Sequence, residues 1–164
     1  MKLLVFVIFA ICFFQTASVA QSHKHHKRPV KADVTEKKIS VKDIPSAVMD
    51  TFHLHYPTAV IKGQEKQTRE KVVFYQIESA DSGKSRDILF QTDGVIVEVA
   101  VSLEPEELPE NIRSAVMEKY PDGKITNSVS VTRGDHVEFE LTLKTGSHST
   151  DVVVNMAGKV FPVK

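Results

Sequence analysis

Apolar and polar positions divide this chain into three stretches before any other property is considered. Leu3 to Phe14 is an unbroken apolar run. A polar stretch from Gln21 to Lys38 follows, with no apolar period. From residue 39 onward the apolar positions become regular. Ile44, Val48, Phe52 and Tyr56 recur every four residues, as do Leu108, Ile112, Val116 and Tyr120, so each set forms one stripe along a helix. Asp43 and Glu107 stand at the helix starts, where acids favour the dipole, and Pro45 and Pro109 suit a first turn. Tyr56-Pro57 and Tyr120-Pro121 stop the helices, because a residue before proline resists helical geometry. Val73, Tyr75 and Ile77 then alternate with polar neighbours, as do Val137, Phe139 and Leu141. That period of two predicts strands with one buried face. Turns fall at Asp81-Ser82-Gly83 and Thr145-Gly146-Ser147. Further strands are predicted at Arg86–Thr92, Thr150–Asn155, Val95–Leu103 and Lys159–Val163, with Asp93-Gly94 and Ala157-Gly158 as their turns.

Sliding the chain by 64 positions matches these features without a gap. Ile44-Pro45 falls on Leu108-Pro109, Tyr56-Pro57 on Tyr120-Pro121, Thr68-Arg69 on Thr132-Arg133, Asp87 on Asp151, and Gly94 on Gly158. Prolines, glycines and apolar strands sharing one register predict a tandem repeat. The expected fold class is therefore α+β. It comprises two tandem units, residues 39–103 and 104–164, each one helix packed on a four-stranded antiparallel meander. Residues 21–38 are expected to form a flexible His/Lys-rich leader.

The Leu/Ile-Pro helix start, the Tyr-Pro stop, the hairpin strands and the final Asp/Ala-Gly turn resemble the PepSY-like family, also called beta-lactamase-inhibitor-like. The resemblance covers roughly residues 40–164. The exported members of that family are common in Bacteroidetes-type bacteria. The resemblance implies a helix laid across one face of each sheet and paired units that expose a binding surface. In the inhibitor that names the wider group, such a surface plugs an enzyme.

The first stretch reads as an address. Lys2 gives a short positive start, the apolar run is about twelve residues where a spanning helix needs about twenty, and Ser18-Val19-Ala20 offers small residues for cleavage. Residues 1–20 are thus expected to be a signal peptide, giving a periplasmic or secreted protein with no membrane span after cleavage at Ala20. Phe9-Ala10-Ile11 before Cys12 does not suit a lipoprotein site. Cleavage would discard Cys12, the only cysteine, and with it any thiol or disulfide chemistry.

Composition adds a charge split. Of 164 residues, Lys plus Arg and Asp plus Glu number 21 each, a balance that argues against generic nucleic-acid binding. Residues 21–38 hold six basic and two acidic groups, while 39–164 hold 14 basic and 19 acidic. A basic arm precedes a mildly acidic body.

No local nucleophile–base–acid signature and no glycine-rich loop opening a helix is present, so neither a hydrolase nor a nucleotide site is predicted. His53 and His55 lie two apart on a helix and face different ways. Asp87 and Asp151 read as strand-start residues with a turn contact, and Tyr56 and Tyr120 as core edges with a hydroxyl partner. The arm holds the remaining chemistry. Cleavage after Ala20 would leave Gln21-Ser22-His23, whose amine, two backbone amides and imidazole can ring Cu(II) or Ni(II) in a square plane. His25 and His26 are close enough to add an outer ligand. Cyclisation of Gln21 would remove the amine and the chelate. Two functions follow. One is a non-enzymatic module that inhibits or sequesters a protein or envelope ligand through the duplicated sheet surface, and the other is a periplasmic metal-binding protein using the arm.

Overall fold

The computed structural model describes residues 34–163. The signal segment 1–20, most of the leader and the set Gln21, Ser22, His23, His25 and His26 lie outside the described residues. The described residues begin with β1 (Val34–Lys38), then a 3-10 turn (Val41–Asp43) and helix α1 (Ser46–His55). It continues through β2 (Val60–Arg69), β3 (Val72–Asp81), β4 (Lys84–Gln91) and β5 (Ile96–Leu103). A second 3-10 turn (Pro105–Glu107) leads to α2 (Glu110–Lys119), then β6 (Lys124–Arg133), β7 (His136–Thr145), β8 (His148–Asn155) and β9 (Val160–Pro162).

The expectation of two units, each a helix on its own four-stranded sheet, is corrected by the strand pairing. All nine strands form one antiparallel sheet in the order β1 to β9. The decisive ladder is β5 with β6, from Val99↔Thr132 to Leu103↔Ser128. A free sheet edge leaves a row of unpaired N–H and C=O groups, and here each strand satisfies the other. The buried Ser128 hydroxyl adds a bond to the Leu103 carbonyl at 2.7 Å. A second correction concerns Val34–Lys38, expected to belong to the leader. It is an edge strand paired with β2 from Val34↔Arg69 to Lys38↔Glu65. Its residues are almost all exposed, so no apolar alternation marked it.

The acids expected at the helix starts cap the 3-10 turns instead. The Ser40 N–H donates to the Asp43 carboxylate at 3.0 Å and the Glu104 N–H to Glu107 at 2.9 Å. Pro45 and Pro109 sit just ahead of α1 and α2. At the far ends, the N–H groups of Tyr56 and Tyr120 each close on the preceding turn at 2.8 Å.

Both helices cover the same sheet face. Ile44, Val48 and Phe52 pack on Tyr75, Ile77, Ile88 and Phe90, with Val99 at the border. Leu108, Ile112 and Val116 pack on Phe139, Leu141, Val152 and Val154, with Val137 at the border. Cross-strand partners share a face, and the pairing runs Ile88↔Val99, Val99↔Thr132, Thr132↔Val137. The two clusters are therefore neighbours on one side of the sheet. Val48, Phe52, Ile112 and Val116 are fully buried, each contributing about 1.5–3 kcal/mol. Among the described residues, no helix covers the opposite face.

Candidate functional site

Several side chains on the helix-free face are as deeply buried as core residues. Val131 is 0% exposed, Gln67 2%, Leu89 4% and Glu98 8%. Burying polar groups is costly unless they are paired, and these are. Arg133, at the end of β6, anchors the larger network. Its Nε donates to Glu98 at 2.6 Å, its Nη1 donates to Glu138, and Glu140 lies 3.9 Å from Nη2. Burial works against the Arg133 charge, but the Glu138 hydrogen bond and the Glu98 charge outweigh it and hold the guanidinium above its ordinary pKa. Arg69, at the end of β2, anchors a second network. Its Nε and Nη2 donate to the Gln67 side-chain oxygen at 3.1 and 2.7 Å, and its guanidinium lies 5.8 Å from the Phe74 ring centre. Gln67 in turn donates to Gln76.

Strand pairing fixes where these groups stand. Arg69, Gln67, Phe74 and Gln76 occupy the β2–β3 part of the face, whereas Arg133, Glu138 and Glu140 occupy the β6–β7 part. Leu89 and Ala100 lie between them on β4 and β5. The result is a surface whose middle sets Leu89 and Ala100 beside Asp87 and Glu98, between two arginine-centred polar ends. Such a surface can recognise a ligand by hydrogen bonds and charge without reorganising.

The residues singled out from the sequence are placed differently. Asp87 and Asp151 stand within β4 and β8 on this helix-free face, not at strand starts, and Asp151 accepts from the Thr142 hydroxyl at 2.8 Å. His53 and His55 are exposed on α1. Tyr56 and Tyr120 pack at the edges of the two clusters. Each meets a cation over its ring, Arg86 at 5.5 Å and Lys119 at 5.9 Å. Among the described residues, no set of three His, Cys, Asp or Glu side chains is placed to hold a metal. The sequence reading missed the two arginines as site residues. The 64-residue offset that pairs Arg69 with Arg133 was the signal that could have drawn attention to them.

No family model matches the chain, and no curated protein matches it. Solved structures do. A BLIP-like protein from Bacteroides fragilis is 22% identical with a TM-score of 0.57, over 71% of this chain and 83% of that one. The fold is BLIP-like. A DUF2874 family protein from Bacteroides ovatus matches at 17% identity and a TM-score of 0.58, over 73% of this chain and 87% of its own. A Bacteroides eggerthii chain, described as a candidate periplasmic protein, matches at 18% identity and 0.60, over 71% and 85%. The beta-lactamase-inhibitor-like side of the sequence resemblance therefore has structural counterparts. The PepSY-like side has none among these.

Proposed function

We propose that this chain is an exported, non-enzymatic binding protein that grips a protein partner with its helix-free sheet face. The observation that carries the reading is the arginine–glutamate network, in which a partly exposed Arg133 holds the nearly inaccessible Glu98, on the face where the described residues place no helix. Charged groups held that rigidly, next to buried Leu89 and Val131, form the kind of preorganised centre from which interfaces draw their affinity. The BLIP-like and candidate periplasmic character of proteins with this fold supports the same reading, as does the Met1–Ala20 segment, which we take to be cleaved on export.

Comparing variants in one capture experiment tests the proposal. Val153→Arg places a bulky cation on the helix-free face, whereas Leu54→Asp alters α1, where Leu54 is 78% exposed. Protein captured from envelope extract should be lost with Val153→Arg and retained with Leu54→Asp, both variants melting as wild type does. Equal retention by the two variants would remove the sheet face from the interface.

A second reading rests on Gln21-Ser22-His23 and the adjacent His25 and His26. We propose that this arm binds Cu(II) or Ni(II) once Gln21 becomes the free amino terminus. Titrating mature protein with Cu(II) should give a visible d–d band that His23→Ala abolishes. Identical titrations would leave the arm without this role.

A further inference from the structure

A cleft of about 640 Å³ opens on the other side of the sheet, where β1 and β2 meet the Ser40–Asp43 turn. Its lining carries more cationic charge than the local fold neutralises. Lys37 and Lys66 are direct cross-strand partners and share the helix-bearing face. Side chains in that relation have Cβ atoms roughly 5 Å apart, and like charges so placed destabilise a sheet. Among the described residues neither lysine has an ion pair. Lys38 also lines the cleft, from a ladder position opposite Glu65. Asp43, the one acid among the described lining residues, already accepts from the Ser40 N–H at 3.0 Å.

Hydroxyl groups extend this donor set. Thr35 and Thr68 form the next cross-strand pair on the same face, and Tyr75, opposite Lys66, closes the inner wall at 9% exposure. Lysine is a point charge with three rotatable donors and binds phosphate oxygens in that way, and neighbouring hydroxyls add directed hydrogen bonds. Among the described residues, the cations lining the cleft are lysines. Its volume falls within the range of small-ligand sites.

We propose that this cleft binds a phosphate-bearing anion, with Lys37 and Lys66 neutralising it and Thr68 donating a hydrogen bond. The site is separate from the helix-free face and does not depend on the function proposed for it. The anion relieves the Lys37–Lys66 repulsion, so binding is coupled to the stability of the β1–β2 edge.

The test has two ligand arms, both with the purified mature chain beginning at Gln21, at constant ionic strength. Inorganic phosphate is titrated calorimetrically, and vesicles of phosphatidylglycerol in phosphatidylcholine are assayed by flotation. Binding in the first arm alone assigns a soluble phosphorylated ligand, and binding in the second assigns a lipid headgroup. In whichever arm binds, the Lys37→Met/Lys66→Met pair should weaken affinity by about tenfold or more. Thr68→Val should weaken it by about threefold to tenfold. Lys62→Met/Lys71→Met, which removes two lysines outside the cleft, should leave it within about twofold. Absence of binding in both arms would overturn the proposal. So would an equal loss in the two lysine pairs, because that reports net charge rather than a built site.

Discussion

Gly94 and Gly158 occupy matching turns, yet alanine should be tolerated very differently at the two. Both have positive φ, +87° and +78°, and both donate back across the turn, to Gln91 at 3.0 Å and Asn155 at 2.9 Å. An L-residue in this region costs roughly 1–2 kcal/mol, offset by about 0.4–1 kcal/mol from a stiffer unfolded chain. Gly158→Ala should therefore cost about 0.5–1.5 kcal/mol, because its new methyl would meet only Ala115 Cβ at 3.4 Å and Asn111 O at 3.6 Å. At Gly94 the methyl would lie 2.5 Å from the Ala47 carbonyl oxygen and 2.8 Å from Thr51 Oγ1. Backbone cannot step aside as a side-chain tip can, so overpacking adds about 1–3 kcal/mol. Gly94→Ala should thus cost about 2–4 kcal/mol and, at about 3–5 °C per kcal/mol, lower Tm by about 6–20 °C. Urea unfolding followed by circular dichroism measures both variants on one scale. Adding Thr51→Ala should recover only part of the loss, since the Ala47 carbonyl remains. Equal costs at the two glycines would refute the close approach of the β4–β5 turn to α1.

Arg133→Met should destabilise by about 1–3 kcal/mol, because the Glu98 and Glu140 side chains, only 11% and 13% exposed, lose their cation. Glu98→Gln in that background should recover part of the loss in a double-mutant cycle, and no coupling would show that the network is not an energetic unit. Hydrogen bonds from Lys84 to Glu107, and from Ser114 and Arg113 to Glu110, lower both carboxyl pKa values from 4.5. Their stabilisation is present above that value and lost as pH falls through the lower folded pKa. An acid titration of Glu107→Gln/Glu110→Gln should accordingly show a shallower stability decline below about pH 4.5 than wild type. Val48→Asp and Ile112→Asp, both at fully buried positions, should each cost several kcal/mol. Each should lower one common unfolding transition, because the two clusters share one sheet; two separate transitions would contradict that coupling.

What could be read from the sequence was local. Proline ahead of each helix, Tyr-Pro after it and glycine in the turns act through the φ of one or two residues, so Pro45, Tyr56 and Gly94 all stand near their expected places. The joining of the strands is not local. Val99 meets Thr132 only after α2 has intervened, and no spacing in the sequence distinguishes that pairing from a free edge. Val34–Lys38 escaped notice for a different reason. A strand exposed on nearly every side chain owes its place to backbone ladders, which leave no hydrophobic period.

The helix-free face was obscured because alternation marks polar strand positions as outward without saying which are shielded. Gln67 and Glu98 read as solvent-facing and are almost inaccessible. The arginines show how far such a pattern can mislead. Arg69 and Arg133 occupy equivalent places under the 64-residue offset, but their surroundings differ. The positions that supply Glu98, Glu138 and Glu140 around Arg133 hold Val34, Phe74 and Gln76 around Arg69. One guanidinium is consequently surrounded by carboxylates, and the other is held by a neutral amide and an aromatic ring. The same residue thus stands among carboxylates at one end of the face, and at the other shares the face with Glu36, Glu65 and Lys38 without an ion pair of its own among the described residues. Under the binding role we propose, a basic group of the partner would be favoured opposite Glu138 and Glu140, and an acidic one there would be repelled.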